Sequence, residues 1–167
     1  MLRNKLMLAV AGALVVASGT AGAATRTTTF GVSAVVNPNC LVSAQALSFG
    51  GYDGTAAKTG TSDITVRCSS GTTYSVGLST GGGTYAQRLL AGSGANTLQY
   101  NLYTTAAANT VWGDGTLGTA TVPGLGAGMS IAAAQTHTVY GQLPDNAFNQ
   151  GAPSGNYTDT ITVTVTY

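Results

Sequence analysis

The residues that could do chemistry in this chain are few and far apart. Asp53, Asp63, Asp114, Asp145 and Asp159 supply every side-chain carboxylate, because the chain has no glutamate. Carboxylate catalysis needs two such groups held together with different pKa values, and no two of these lie close in sequence. His137 is the lone histidine, and with only two cysteines it offers no zinc set. No serine stands in a GxSxG elbow. The GLGAGM stretch from Gly124 has the glycines of a phosphate loop without the strand-to-helix setting such a loop requires, and it reads as a flexible connection. Asp114, in WGDG, lacks the ligand series of a calcium loop; it is expected to cap a turn. His137 lies in a threonine-rich strand and reads as a surface histidine. The expectation is a protein with no catalytic residues, no metal and no cofactor: not an enzyme.

The cysteines suggest a covalent staple instead. The first 23 residues have the three parts of a secretion signal: Arg3 and Lys5, then the apolar run Leu6 to Ala17, then the small-residue cleavage site Ala21-Gly22-Ala23. The run is shorter than the roughly 20 residues that span a bilayer. No later segment is apolar enough to span, so the mature chain from Ala24 is expected to have no membrane span. Export favours a disulfide over a reactive thiol. Cys40 and Cys68 can pair in only one way, and closing that loop is worth roughly 3–4 kcal/mol.

Removing the signal changes the charge. Arg26, Lys58, Arg67 and Arg88 remain against five aspartates, so the net charge is about −1 (four minus five). No basic stripe of the kind that binds nucleic acid is present. Charged residues make up 7% of the chain, against roughly 25% in an average soluble protein. A surface of Thr, Ser, Asn and Gly with near-zero net charge favours association.

The remaining 144 residues, 24–167, are enough for one domain with a sizeable core, and their pattern is β throughout. Apolar residues alternate in DITVRC (Ile64, Val66, Cys68), TTYSVGLST (Tyr74, Val76, Leu78) and TLQYNLY (Leu98, Tyr100, Leu102). They do so again in THTVYGQLP (Val139, Leu143) and most clearly in NYTDTITVTVTY, where Tyr157, Ile161, Val163, Val165 and Tyr167 share a face. Glycine clusters punctuate the runs. Short strands and turns at this spacing indicate a sandwich or barrel. The alanine-rich stretch Met129 to Gln135 is too short for an independent helix and fits a single helical turn.

The start of the mature chain, TTTFGVSAVVNPNC from Thr27, also alternates, with Phe30, Val32, Ala34 and Val36 on one face. Chain ends fray unless tied down, and an apolar sheet edge left uncovered invites aggregation. The N-terminal strand suits the covering of such an edge, within its own chain or on a neighbour.

The pieces FGVSAVVNPNC, LSFGGYDG (47–54), DITVRC, QYNLYT (99–104), VWGDG (111–115), YGQLP (140–144) and GNYTDTITVTVTY occur in an order that resembles the spore coat protein U domain family. That family includes subunits of archaic chaperone–usher pili. The resemblance implies an all-β, incomplete immunoglobulin-like sandwich of six strands plus an N-terminal donor strand. It also implies a division into a signal peptide (1–23), a donor strand (24–36) and a pilin domain (37–167). The gap is filled first by a periplasmic chaperone and then, at an outer-membrane usher, by the donor strand of the next subunit.

Carried onto this sequence, the donor face is Phe30, Val32, Ala34 and Val36. The acceptor groove, which also binds the chaperone, is lined in part by Ile161, Val163, Val165 and Tyr167. The disulfide ties the first strand of the sandwich to the second. Burying Phe30, Val32 and Val36 contributes on the order of 5–8 kcal/mol per junction before association costs. Donor and groove lie on different surfaces, so the contact is head-to-tail and builds filaments of identical or related subunits.

Asn37-Pro38-Asn39 then forms a short stiff joint. The expected role is a structural subunit of a surface pilus, reached through the periplasm and supporting adhesion or biofilm formation. The alternatives are a self-complemented monomeric secreted or coat protein, and a ligand-binding adhesin subunit. An adhesin of that kind is expected to carry a further binding domain ahead of the pilin part.

Overall fold

The computed structural model describes residues 22–167. The secretion-signal reading therefore falls, apart from Gly22 and Ala23, outside the described residues. The chain divides into two units, one ending at Val35 and one running Val36–Tyr167. In the first, residues 22–35 form no helix or strand, and Phe30 and Val32 are each 86% exposed.

The second unit is an all-β sandwich. Its strands are β1 (Cys40–Ala44), β2 (Lys58–Cys68), β3 (Thr73–Leu78), β4 (Arg88–Ala91), β5 (Thr97–Tyr103), β6 (Val122–Leu125), β7 (Gln135–Leu143) and β8 (Val163–Thr166). They form a five-stranded sheet in the order β1-β2-β7-β5-β4 and a three-stranded sheet in the order β6-β3-β8. Every ladder is antiparallel. The alternating residues do what their period predicts. Ile64, Val66 and Cys68 of β2, Tyr74, Val76 and Leu78 of β3, Leu98, Tyr100 and Leu102 of β5, and Val139 and Leu143 of β7 are all buried in one core. Two inner faces meeting in this way make an immunoglobulin-like sandwich.

Three elements have no counterpart in the periodicity. β4 (RLLA) and β6 (VPGL) are four residues each, too short to show a period, and Pro123 is tolerated because β6 is an edge strand. The helix α1 (Ala147–Gln150) is a single turn capped by Asn146, whose side chain accepts from the Asn149 amide at 2.9 Å. The alanine-rich stretch holds a 3-10 turn at Ile131–Ala133.

One flank of the sandwich is locked by polar groups. The Trp112 indole, 1% exposed, donates to the Val76 carbonyl at 2.9 Å, while its own amide donates to Leu102 at 2.9 Å. This residue thus joins β3 to β5 across the core. Arg88 is fully buried. Its Nη1 donates to Asn101 Oδ1 at 2.6 Å, and its Nη2 donates to the carbonyls of Ser79 and Trp112 at 2.8 and 2.7 Å. Burial lowers its pKa, yet a guanidinium keeps its charge in proteins. The stretch Gly81 to Leu90 therefore turns inward at Arg88 and at Tyr85, rather than lying wholly on the surface.

Cys40 and Cys68 face each other in the β1–β2 register and form the disulfide. Near this end Tyr74 of β3 and His137 of β7 link the two sheets: the Tyr74 hydroxyl lies 2.9 Å from His137 Nε2, and the rings meet edge to face. His137 is half-buried and holds the sheets together, a departure from the surface position expected of it.

Two measurements follow from these contacts. Cys40→Ala with Cys68→Ala should cost roughly 3–4 kcal/mol and lower the thermal midpoint by roughly 10 °C, read by calorimetry of oxidised and mutant chains. Burial lowers the His137 pKa below its ordinary 6.5. The unfolded chain then takes up a proton that the folded chain resists, so stability is full above about pH 6.5 and declines as pH falls below it. Denaturant midpoints between pH 7.5 and 5 should show this decline, and His137→Gln, the only histidine being gone, should flatten it.

Candidate functional site

The sandwich is open beside its last strand. The three-stranded sheet ends at β8, which among the described residues is hydrogen-bonded to β3 and to no other strand. Beside it runs a groove of about 1250 Å³, whose floor includes Ile64, Leu78, Leu98, Tyr100, Leu102 and Val139. These are core residues, each 6% exposed or less. The groove therefore reaches the hydrophobic core directly.

Two segments form its rims. The first is the stretch 45–54, leaving β1. The Gln45 amide donates to the Asp63 carbonyl at 3.1 Å, and the Gln45 carbonyl accepts from Ser62 Oγ. Beyond that point, residues 46–54 make no backbone-to-backbone hydrogen bond among the described residues. Side chains hold them instead. Phe49 packs edge to face on Tyr100 with ring centroids 5.9 Å apart, and the Tyr52 hydroxyl donates to Asp145 at 3.1 Å.

The second rim is the run from Tyr157 into β8. Thr158 exchanges backbone hydrogen bonds with Ala91 of β4 at 2.8 and 2.9 Å, and Val163–Thr166 then pairs with β3. The last strand so passes from the edge of one sheet to the edge of the other. Asp159 fixes it between those points. Its carboxylate accepts from the Tyr100 hydroxyl at 2.5 Å and from the Gly82 amide at 3.0 Å. Burial, reinforced by this carboxylate, pushes the Tyr100 pKa up. The fit around Asp159 is close enough that a methyl group on Gly81, whose φ is +61°, would collide with the carboxylate.

Of the acceptor residues expected from sequence, Ile161 and Val163 line the groove. Val165 packs on the core without lining it. Tyr167 is 58% exposed and borders a second concavity of about 580 Å³ with Val36, Pro38 and residues 69–73. Of the donor face, Phe30, Val32 and Val36 are each 86% exposed, and Ala34 is exposed as well. The rim 46–54 and the Asp159 latch were not among the expected site residues. Leu47 and Phe49 alternate, which was the signal for the first; nothing in the sequence singles out Asp159.

The aspartates engage locally. Asp53 and Asp114 occupy matching Asp-Gly-Thr turns, accepting from the amide and hydroxyl of Thr55 and Thr116. Those bonds hold both carboxyls below the usual carboxylate range. Asp114 is thus the turn cap its setting predicts. Asp63 accepts from Thr138 at 2.8 Å.

This sandwich with an open edge has known counterparts. The Spore Coat Protein U domain model matches residues 26–164. The chain belongs to the spore coat protein U domain family. Within that family's reach, it is 30% identical to Protein U of Myxococcus xanthus, over 99% of this chain and 98% of that protein. It also resembles the crystal structure of the CsuC-CsuE chaperone-tip adhesion subunit pre-assembly complex, from archaic chaperone-usher Csu pili of Acinetobacter baumannii. That likeness has 28% identity and a TM-score of 0.54 over 79% of this chain, and the chain spans 40% of the length of the chain it matches there.

If Asp159 holds the second rim, Asp159→Ala should cost about 1–3 kcal/mol, the usual range for stranding a buried hydrogen-bond partner, here the Tyr100 hydroxyl. Denaturant titration reads the loss, and hydrogen exchange should show the Gly82 amide losing protection.

Proposed function

We propose that the chain is a structural subunit of a surface pilus, assembled head-to-tail by donor-strand complementation. The observation that carries the proposal is the groove beside β8. It combines an apolar floor, an edge strand bonded on one side and a facing rim without ladder bonds. An extended peptide with apolar residues at alternate positions supplies what this arrangement takes up: ladder bonds to the edges and side chains to the floor. The segment Phe30 to Val36 has that alternation, and its apolar side chains are exposed.

The proposed occupant is that segment from a second copy, with Phe30, Val32, Ala34 and Val36 entering the groove and Ile161, Val163, Val165 and Tyr167 on the accepting strand. Before assembly a periplasmic chaperone covers the groove, and an outer-membrane usher exchanges the chaperone for the next subunit. Kinship with the spore coat protein U domain family and likeness to a chaperone–subunit complex from pili support these partners. The subunit travels through the periplasm to the cell surface, where the filament serves adhesion or biofilm formation. Near-neutral charge suits a protein packed against copies of itself.

The test compares the full mature chain with its Phe30→Asp variant by size-exclusion chromatography with light scattering, and by unheated denaturing gels. The wild type should form ladders that survive detergent, and the variant should stay short or need an added peptide of residues 27–39. A wild type that remains a stable monomer sinks the filament reading and favours a strand that completes its own sheet.

A further inference from the structure

Two glycines face each other within the β2–β7 ladder, in the third pair from its Lys58 end: Gly60 is the register partner of Gly141. Interior glycine weakens a strand, so a cross-strand pair of them needs a reason. Backbone conformation is not that reason, because neither has a positive φ. Space is. Both lie on the inner face, in the rows that carry Ile64 and Val66 on β2 and Val139 and Leu143 on β7. A methyl group on Gly60 would stand 2.7 Å from the Ser48 carbonyl oxygen and 3.1 Å from Leu47. One on Gly141 would stand 2.9 Å from Leu47 and 3.0 Å from Phe49. The two bare backbones thus make a notch into which Leu47, Ser48 and Phe49 settle.

These three residues belong to the rim that has no ladder bond of its own over 46–54. Its height above the five-stranded sheet is therefore set by what it rests on. We infer that the Gly60–Gly141 pair is a seat that positions this rim, and that it sets the width of the strand-accepting groove and hence how firmly a donor strand is held. This inference rests on the filament reading. The two glycines of the seat differ in what they tolerate. The Gly60 methyl would meet backbone, which no side-chain rotation relieves, whereas the Gly141 methyl would meet only the ends of side chains. Thr61 supplies the control, since it follows Gly60 in β2 but is exposed on the outer face, away from the rim.

The experiment uses the full mature chain, throughout in the Phe30→Asp background so that no neighbouring copy fills the groove, and a fluorescent peptide of residues 27–39, with release of the bound peptide followed after dilution. Overpacking against backbone should speed release about tenfold in Gly60→Ala, and against movable side chains about two- to threefold in Gly141→Ala. Thr61→Ala should release at the wild-type rate. Emission from the buried Trp112 reports whether the core is intact in each variant. Unchanged release from a folded Gly60→Ala chain overturns the seat. Should that variant not fold, Gly141→Ala decides alone, and wild-type release there overturns it equally. A wild type that binds no peptide and forms no ladder removes the filament reading and the seat with it. Binding by the wild type beside identical binding by both glycine variants removes only the seat.

Discussion

The structure depends on one requirement of β-sheets, that a strand edge standing over an apolar groove rather than in open water must have its backbone groups paired. β8 meets that requirement on its β3 side alone, and its inward residues sit over a floor of core side chains that the groove leaves accessible. Apolar surface drives its own covering by about 25 cal/mol for each Å² removed from water. Unpaired backbone and uncovered apolar floor thus coincide in one place. A partner that relieves one necessarily relieves the other if it is a strand.

The remainder of the sandwich confines the opening to that place. The disulfide holds β1 to β2 at one end, and Tyr74 with His137 joins the two sheets. On the far flank, Trp112 spans from β5 to β3, and Arg88 gathers Ser79, Asn101 and Trp112 around one guanidinium. Burying a charge is costly unless its hydrogen bonds are met. Here they are met by neutral oxygens, which ties three segments together without a second charge. The aspartates follow the same economy, since all five accept from Thr or Tyr hydroxyls nearby. With charged residues only 7% of the chain, few charges keep copies apart.

The sequence was most legible where a strand is long and one face is buried. Ile64 to Cys68, Leu98 to Leu102 and Val139 to Leu143 alternate because the core takes every second residue, and the structure buries those residues. The cysteine pair was legible because only one pairing exists. β4 and β6 were not, because four residues cannot display a period of two with any contrast. Arg88 was not, because its partners are the carbonyls of distant residues and a carbonyl leaves no mark in sequence. His137 was misplaced for a related reason. Its threonine-rich surroundings describe the outer face of β7, while its own side chain belongs to the inner face with Val139.

The first rim was illegible in a more instructive way. Residues 46–54 have no ladder, so they show none of the regularity that a ladder imposes, although they border the groove along one whole side. In the proposed assembly this is a necessity. A rim whose backbone groups were already paired could not pair with an incoming strand, and so its position has to come from something other than backbone hydrogen bonds. What remains is its side chains and the surface under them: an aromatic contact from Phe49 to Tyr100, a hydrogen bond from Tyr52 to Asp145, and a bare patch of backbone at Gly60 and Gly141 for Leu47 to lie on. A groove built to receive a strand must hold one of its walls by side chains rather than by a ladder, and in the inferred arrangement the glycines of the five-stranded sheet are where that wall rests.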